Sequence, residues 1–383
     1  MREGSERRAL LAALRGERLP SALTVAEWTS LARVAIDHGV GQCLLSSFGS
    51  DIPQEQAGWL RTEALASAAR HLRTRVDLAR IGPLMDRTAV LWVAVKGPVL
   101  SEHWYAERGR RPYADLDLLV SGSRLGDVLD ALEAEGCQLV DTNWTLSLAQ
   151  RRAELTVVLP HGTPLDLHWH LVNDPDDRAD FRVDVAGMLG RRQTVAIAGQ
   201  QVPTLDHADT LLHLSLHTLL SGGRRLAWYV DLGQVLRDFE DWDELVARSD
   251  AARVGLLVGL ALDRARHLTG AAVPDGVLAR LTQLGRTWLD LVRRLDAVRP
   301  LGDPRVRLLT GQLLVRSARG GTSSSVTAAL RSVRRDLLLP LVRQPRHPWL
   351  ARTPSEQESD NPLWSAADDP QDRMRYLELA GIG

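Results

Sequence analysis

The chain has 383 residues, of which 44% are hydrophobic and 25% are charged, a globular composition with enough apolar residues for more than one core. This composition excludes a wholly disordered or fibrous protein. The net charge of -1 provides no general attraction to nucleic acid or to an anionic membrane, so a polyanionic ligand would have to meet a local cationic patch.

The first 85 residues or so are predicted to be helical. Thr24 is a capping residue before VAEWTSLARVAIDHGV, and a stretch from about Gln54 to Met85 carries apolar residues at near-helical spacing. The pattern then changes, because the short apolar and β-rich run AVLWVAV at 89–95 predicts a strand. Lys96, Gly97 and Pro98 close this strand as a turn.

The next part of the chain predicts further strands. Three runs alternate or concentrate apolar residues in the way strands do: ADLDLLV at 114–120, ELTVVL at 154–159 and PLDLHWHL at 164–171. A hairpin is expected at about 193–205. The pattern is helical again from Asp206 to about 340, and the Pro, Ser, Asp and Glu content from 345 on is typical of a loosely ordered tail.

These elements predict an α+β protein in which a small mixed-sheet core is flanked by N-terminal and C-terminal helical regions. The expected boundaries are an N-terminal helical region at 1–85, an α/β core at 86–204, a C-terminal helical domain at 205–344 and a loosely ordered tail at 345–383.

Lys96 is conspicuous because the chain uses arginine almost everywhere else. Of the 47 basic residues, Lys96 is the single lysine. A position that keeps lysine in such a background indicates a need for a compact ammonium that a planar guanidinium would not replace. Chance retention on the surface is the alternative. The turn that Lys96 opens favours the functional interpretation.

Two of the predicted strands carry carboxylates on one face. Asp115 and Asp117 lie two residues apart, and Asp166, His168 and His170 alternate with large apolar residues. If the strands are neighbours, three carboxylates converge, and each pair at about 7 Å repels by roughly 2 kcal/mol at an effective dielectric constant near 20. Divalent cations would cancel this repulsion, and hard oxygen ligands suit Mg²⁺ or Mn²⁺. Two such ions could clamp the attacking and leaving oxygens of a phosphoryl displacement.

The same residues resemble a known family. The resemblance lies in VKGPVLSEHWYAERGRRPYADLDLLV, in PLDLHWHL, and in LLHLSLHTLLSGGRRLAWYVDLGQVL followed by Asp241 and Trp242. These runs look like the uncharacterised nucleotidyltransferase family of the DNA polymerase beta superfamily, over roughly residues 25–270. The turn here is Lys-Gly, where the wider superfamily usually has Gly-Gly or Gly-Ser.

The resemblance implies a metal-dependent nucleotidyltransferase that moves an NMP group from an NTP to a hydroxyl or phosphate of an acceptor. Carried over, Asp115 and Asp117 match the metal-binding pair and Asp166 the third acid, with two ions of Mg²⁺ or Mn²⁺ as cofactor. The nucleotide-binding positions implied are Lys96, Gly97, Arg111 and, as its runner-up, Arg110. His168, His170 and Arg225 are candidates for the acceptor side.

Other interpretations stay open at this point. An Asp-x-Asp motif also binds metal in sugar-nucleotide glycosyltransferases, although those place a nucleotide-binding βα unit before the motif, where this chain has about 85 helical residues. A nucleotide-binding pseudoenzyme acting as a scaffold in a biosynthetic pathway is the other alternative. The acceptor is a small molecule, a peptide or a saccharide by analogy, and a nucleic acid is disfavoured by the net charge.

The location of the protein follows from what the sequence lacks. No apolar run approaches the roughly 20 residues of a membrane-spanning helix, and the first residues lack the apolar segment of a signal peptide. The two cysteines, Cys43 and Cys137, argue against a disulfide framework. We therefore expect a cytoplasmic protein with no transmembrane segment.

Overall fold

The structure is a computed structural model that describes residues 4–298, 309–334, 362–364 and 369–382. The chain forms two compact units, each assembled from three separate stretches. The helical unit contains residues 1–72, 100–113 and 207–329, and the sheet unit contains residues 73–99, 114–206 and 330–383. The domain boundaries expected from the sequence stay a prediction.

The described chain begins with four helices, and short strands and helices follow up to residue 204. In chain order they are α1 (Ser5–Arg15), α2 (Val25–Asp37), α3 (Gly41–Phe48), α4 (Gln54–Arg87), β1 (Trp92–Val95), α5 (Gly97–His103), β2 (Leu116–Val120), α6 (Leu125–Ala134), β3 (Gln138–Leu139), α7 (Trp144–Gln150), β4 (Glu154–Val158), β5 (Pro164–His168), α8 (Pro175–Asp180), α9 (Val185–Gly190), β6 (Gln193–Ile197) and β7 (Gln200–Thr204).

The rest of the described chain is helical. Its elements are α10 (His207–Leu220), α11 (Leu226–Val235), α12 (Trp242–Ala251), α13 (Gly255–Thr269), α14 (Asp275–Leu281), α15 (Arg286–Val298), α16 (Leu309–Arg316), α17 (Thr322–Val333) and α18 (Pro370–Ile382). Among the helices of the described residues, none has both the length and the apolar character that spanning a bilayer requires.

The sheet unit is built on five strands in the order β1, β2, β5, β4, β3. β2 and β5 run parallel, and the other neighbouring pairs are antiparallel. β6 and β7 form a separate antiparallel hairpin. The mixed sheet with its many helices confirms the predicted α+β fold class.

The predicted strands are all present, with shorter ends than the sequence patterns indicate. β1 begins at Trp92 and β5 ends at His168, because the apolar runs extend into the turns that follow or precede each strand. All five residues of β2 are buried, whereas β4 and β5 alternate between more and less buried positions. Alternation of this kind is typical of a sheet with one face in the core and one face available to a ligand.

Thr24 caps α2 as the sequence predicts. Its hydroxyl accepts a hydrogen bond from the backbone N–H of Glu27, and the Glu27 carboxylate accepts one from the backbone N–H of Thr24 at 2.8 Å. This reciprocal capping box satisfies donors that the first turn of a helix leaves without a helical partner.

The end of the chain differs from the expected loosely ordered tail. Residues 345–361 lie outside the described residues, but Pro370–Ile382 forms α18 within the sheet unit. Tyr376 of α18 is fully buried, and its ring lies 5.6 Å from that of Trp144. The polar composition of the tail concealed this helix, since Tyr376 is the one large aromatic side chain that it buries.

The close packing of α18 gives a testable prediction at Gly122. A Cβ atom at this position would lie 2.1 Å from the backbone oxygen of Ala380. We expect Gly122→Ala to lower the free energy of unfolding by about 1–3 kcal/mol, because backbone must shift to accept the methyl group. Gly126→Ala is the matched control, since its Cβ would meet only a flexible side-chain atom of Leu377 at 3.4 Å. Urea unfolding that shows equal stability for the two variants would contradict the packing.

Candidate active site

One face of the sheet carries polar side chains on the three neighbouring strands β2, β5 and β4. Residues paired across neighbouring strands point to the same face. Asp117 on β2 is paired with Asp166 on β5, and Asp166 is paired with Thr156 on β4. The opposite face carries leucines that are fully buried: Leu116, Leu118, Leu165 and Leu167. The core thus fixes the register, and the register brings the two carboxylates together.

Three side chains on this face form a group that could hold a metal ion. Asp117, Asp166 and His168 each offer a ligand atom, and these atoms all lie within 4.8 Å of one another. Two carboxylates and one imidazole are a donor set that fits a divalent cation. The sequence analysis selected both carboxylates of this group and named His168 only as an acceptor-side candidate.

Asp115 lies directly before β2 and is half-buried. Its negative charge helps to raise the pKa values of both Lys96 and Asp166, so Asp115 acts electrostatically on the same site. The group of three candidate ligands found among the described residues contains Asp117, Asp166 and His168 and leaves Asp115 outside. Metal ligation by Asp115 stays a prediction.

Lys96 contacts the centre of this site. Its ammonium nitrogen lies 2.6 Å from Oδ1 of Asp117, and its side chain is only 11% exposed. Burial disfavours the ammonium form, yet the neighbouring carboxylates, Asp117 above all, raise the pKa of Lys96 above its ordinary value. Lys96 is therefore a compact buried cation held by the acidic cluster.

The backbone at Lys96 is in the left-handed region, with φ of 50°. Such a conformation favours glycine, and a side chain with a Cβ adopts it at a cost of roughly 1 kcal/mol. Gly97 follows as the first residue of α5 and is buried. The turn therefore bends sharply from β1 into α5, and this bend puts the lysine side chain at the carboxylates.

The two central carboxylates have opposite electrostatic environments. Burial by itself raises the pKa of Asp117, but Lys96 and His168 together hold it well below its usual range. For Asp166, burial and the charge of Asp117 raise the pKa to about 7 against the opposing effect of His168. Without a bound cation, Asp117 is thus the ionised partner of Lys96. Asp166 is the carboxylate whose ionisation is disfavoured, by burial and by the charge of Asp117.

Glu154 belongs to this face and was missed by the sequence analysis. Glu154 on β4 is paired with His168 on β5, and its Oε2 lies 3.5 Å from Nδ1 of the imidazole. Nε2 of the same imidazole lies 3.1 Å from Oδ1 of Asp117. The signal was present in the sequence, because Glu154 and Thr156 alternate with Leu155 and Val157 as the acids of β2 and β5 alternate with leucine.

His170 has a different environment from His168. It is 6% exposed, and its Nδ1 accepts a hydrogen bond from the backbone N–H of Val172 at 3.0 Å. Burial, with the nearby charge of Arg178, lowers the pKa of His170 to about 4. A neutral imidazole that holds the chain after β5 accounts for this residue.

Arg111 makes a buried ion pair inside the helical unit. Its Nε and Nη2 donate to Oδ1 and Oδ2 of Asp231 at 2.8 and 2.9 Å, and Tyr105 also donates its hydroxyl to Asp231 at 2.7 Å. Arg110 pairs with Glu107 and Ser46, and Arg225 is exposed at the start of α11. The nucleotide-binding roles of these arginines stay predictions.

The ion pair of Arg111 predicts a large stability effect. Asp231→Asn removes the charge that compensates a guanidinium with only 8% exposure, so we expect the free energy of unfolding to fall by about 3 kcal/mol. The exposed Asp238, on the chain that follows α11, provides the matched control Asp238→Asn. Chemical denaturation should separate the two variants clearly, and a loss below about 1 kcal/mol in Asp231→Asn would show that the pair is not structural.

The mixed sheet, the Asp117–Asp166 pair and the basic turn before α5 agree with the nucleotidyltransferase class that the sequence resemblance implies. The chain belongs to the family described as uncharacterised nucleotidyltransferase, whose model matches residues 24–270. Among curated proteins, none matches the chain significantly. Family membership confirms the resemblance drawn from the sequence and supports transferase activity in general.

Proposed function

We propose that this protein is a metal-dependent nucleotidyltransferase that moves an NMP group from an NTP to a hydroxyl or phosphate of an acceptor. The observation that carries the proposal is the pairing of Asp117 with Asp166 across neighbouring parallel strands, with the Lys96 ammonium 2.6 Å from Asp117. Carboxylates that converge in this way repel one another unless cations bind to them. A partly buried site that concentrates this repulsion is suited to metal ions, which in turn can bind the oxygens of a triphosphate.

Asp117 and Asp166, with Asp115 beside them, would hold the divalent ions, and the donor set of carboxylates and imidazole fits such ions. Bound there, two ions of Mg²⁺ or Mn²⁺ would neutralise the triphosphate and support in-line displacement at its α-phosphorus. Lys96 would contribute a fixed positive charge to the phosphate oxygens as negative charge grows in the transition state. We assign Gly97, Arg111 and Arg110 to nucleotide binding on the same hypothesis.

The proposed transfer forms one bond and breaks one bond at the α-phosphorus of the NTP. An acceptor oxygen forms a bond to the α-phosphorus while the bond from that phosphorus to the bridging oxygen breaks, and the electron pair leaves with pyrophosphate. Asp166 would accept the proton of an acceptor hydroxyl. We place the acceptor, a small molecule, a peptide or a saccharide, beside His168, and acceptor roles for His170 and Arg225 stay predictions.

The position of the label in the substrate tests the reaction type. The protein is incubated with each NTP, ATP first, labelled at the α- or the γ-phosphorus, together with Mg²⁺ or Mn²⁺ and a cell extract that supplies acceptors. A nucleotidyltransferase transfers the α-label to a new product and releases the γ-label in pyrophosphate. Transfer of the γ-label would identify a kinase and contradict the proposal. Calorimetric binding of metal-NTP without any pyrophosphate release would favour the pseudoenzyme alternative.

A further inference from the structure

His168 gives the site a nitrogen donor among its carboxylates. Its Nε2 lies 3.1 Å from Oδ1 of Asp117, and His168 belongs to the same group of candidate ligands as Asp166. Two neighbouring ligands of an octahedral ion, each about 2.1 Å from the metal, are about 3 Å apart. The imidazole and the carboxylate of Asp117 are therefore spaced as two ligands of one ion would be.

The other nitrogen of the imidazole faces a fixed carboxylate. Nδ1 of His168 lies 3.5 Å from Oε2 of Glu154. Oε1 of Glu154 accepts hydrogen bonds from Arg152 at 2.9 Å and from Asn173 at 2.6 Å, so the carboxylate is held in place from the other side. Histidine ligands in metalloproteins commonly direct their second nitrogen to a carboxylate, which fixes the ring orientation and increases the basicity of the ligating nitrogen.

We propose, resting on the proposed function, that His168 is a metal ligand through Nε2. Glu154 is the positioning residue that orients the imidazole. The site therefore selects Mn²⁺ over Mg²⁺. Mg²⁺ takes oxygen ligands and gives up its waters reluctantly, so an imidazole is a poor replacement for one of them. The two carboxylates keep the site hard enough for Mn²⁺. Of these two ions, Mn²⁺ is thus the one that accepts both donor types present.

Pulsed EPR of Mn²⁺ bound to the full chain, without nucleotide, tests the ligand directly. We expect ¹⁴N modulation from a coordinated imidazole in the unmodified protein and its loss in His168→Gln. We also expect His168→Gln to lower the ratio of Mn²⁺ to Mg²⁺ affinity, measured by calorimetry, by about 10-fold or more. Manganese that binds without ¹⁴N modulation, or an affinity ratio that His168→Gln leaves unchanged, would overturn the inference.

Glu154 is tested in the same experiment with a matched control. Glu154→Gln should keep the ¹⁴N modulation while weakening Mn²⁺ binding by about 10-fold, because the imidazole loses its orienting carboxylate. Glu135→Gln changes the same chemical group on the surface of the same unit, where its side chain is 55% exposed, and should bind Mn²⁺ as the unmodified protein does. Equal Mn²⁺ affinity in both variants would remove the role of Glu154.

These binding measurements separate the inference from the proposed function. A ¹⁴N signal in a protein that shows no NTP turnover would support the ligand assignment and contradict the nucleotidyltransferase proposal. Turnover that Mg²⁺ supports fully, in a protein with no ¹⁴N signal, would leave the proposed function standing and overturn the metal assignment. Far-UV circular dichroism on each variant shows whether a loss of binding reflects a loss of fold.

Discussion

Asp117→Asn is expected to lower NTP turnover by about 10³-fold or more. The side chain keeps its shape but loses the charge that faces Lys96 and that would neutralise a divalent ion beside Asp166. A loss of about 4 kcal/mol of transition-state stabilisation corresponds to this factor, and metal ions supply several kcal/mol in phosphoryl transfer. The measurement is the rate of pyrophosphate release under saturating Mn²⁺ and NTP.

The same substitution at an exposed aspartate shows whether the loss of turnover is specific to Asp117 or follows from removing any negative charge. Asp130 lies on α6 of the same unit with a side chain that is 75% exposed, so Asp130→Asn should retain full turnover. The amide at position 117 also leaves the Lys96 ammonium with a weaker partner, so a lower melting temperature is expected for Asp117→Asn. Circular dichroism at the assay temperature separates the two effects, and unchanged turnover in a folded Asp117→Asn protein would refute the catalytic proposal.

Lys96 is the second position with a large expected effect. Lys96→Met removes a cation that is 11% exposed and lies 2.6 Å from Asp117, and we expect turnover to fall by about 10²-fold to 10³-fold. Lys96→Arg should restore little of this loss, since a planar guanidinium does not fit the place of a compact ammonium between the sheet and the turn. Steady-state kinetics over a range of NTP concentrations would show a lower kcat together with a higher KM.

The control for Lys96→Met removes an exposed cation that forms a surface ion pair. Arg87 lies at the end of α4 with a side chain that is 62% exposed and pairs with Glu135, so Arg87→Met should change neither kcat nor KM by more than about 2-fold. If Lys96→Met kept the kinetics of the unmodified protein, the charge of Lys96 would have no part in the reaction. If Lys96→Arg matched the unmodified protein, any cation at this turn would suffice.

Much of the sheet unit was predictable because its strands carry strong local patterns. The run ADLDLLV predicted a strand, and the chain order of apolar and acidic positions predicted which faces are polar. The alternation in PLDLHWHL predicted the face that carries Asp166. The sequence did not show that β2 and β5 are neighbours in the sheet. Parallel strands that lie about 50 residues apart in the chain leave no local signal of their pairing.

The features that sequence patterns missed depend on contacts between distant parts of the chain. The buried ion-pair partner of Arg111, Asp231, lies 120 residues further along the chain. The helix α18 was concealed by a polar tail, and Tyr376 donates its hydroxyl to the backbone oxygen of Arg152, 224 residues away. Polar composition alone does not reveal such pairs, because each depends on the fold that brings the two partners together.

The left-handed backbone at Lys96 is a further feature that the sequence could not predict. The sequence indicated a Lys-Gly turn where the wider superfamily usually has Gly-Gly or Gly-Ser, but backbone angles are not visible in a residue pattern. The φ of 50° shows that this lysine adopts a conformation suited to glycine. Retaining a side chain there costs conformational energy, which is consistent with a functional need for the ammonium.

Anomalous X-ray scattering at the manganese edge, from crystals grown with Mn²⁺ and a non-hydrolysable NTP analogue, would show whether Asp117 and Asp166 hold the metal beside the nucleotide. We expect a manganese peak about 2.2 Å from carboxylate oxygens of Asp117 and Asp166, with the triphosphate beside Lys96. A peak that avoids both carboxylates, or a nucleotide bound elsewhere on the protein, would contradict this expectation.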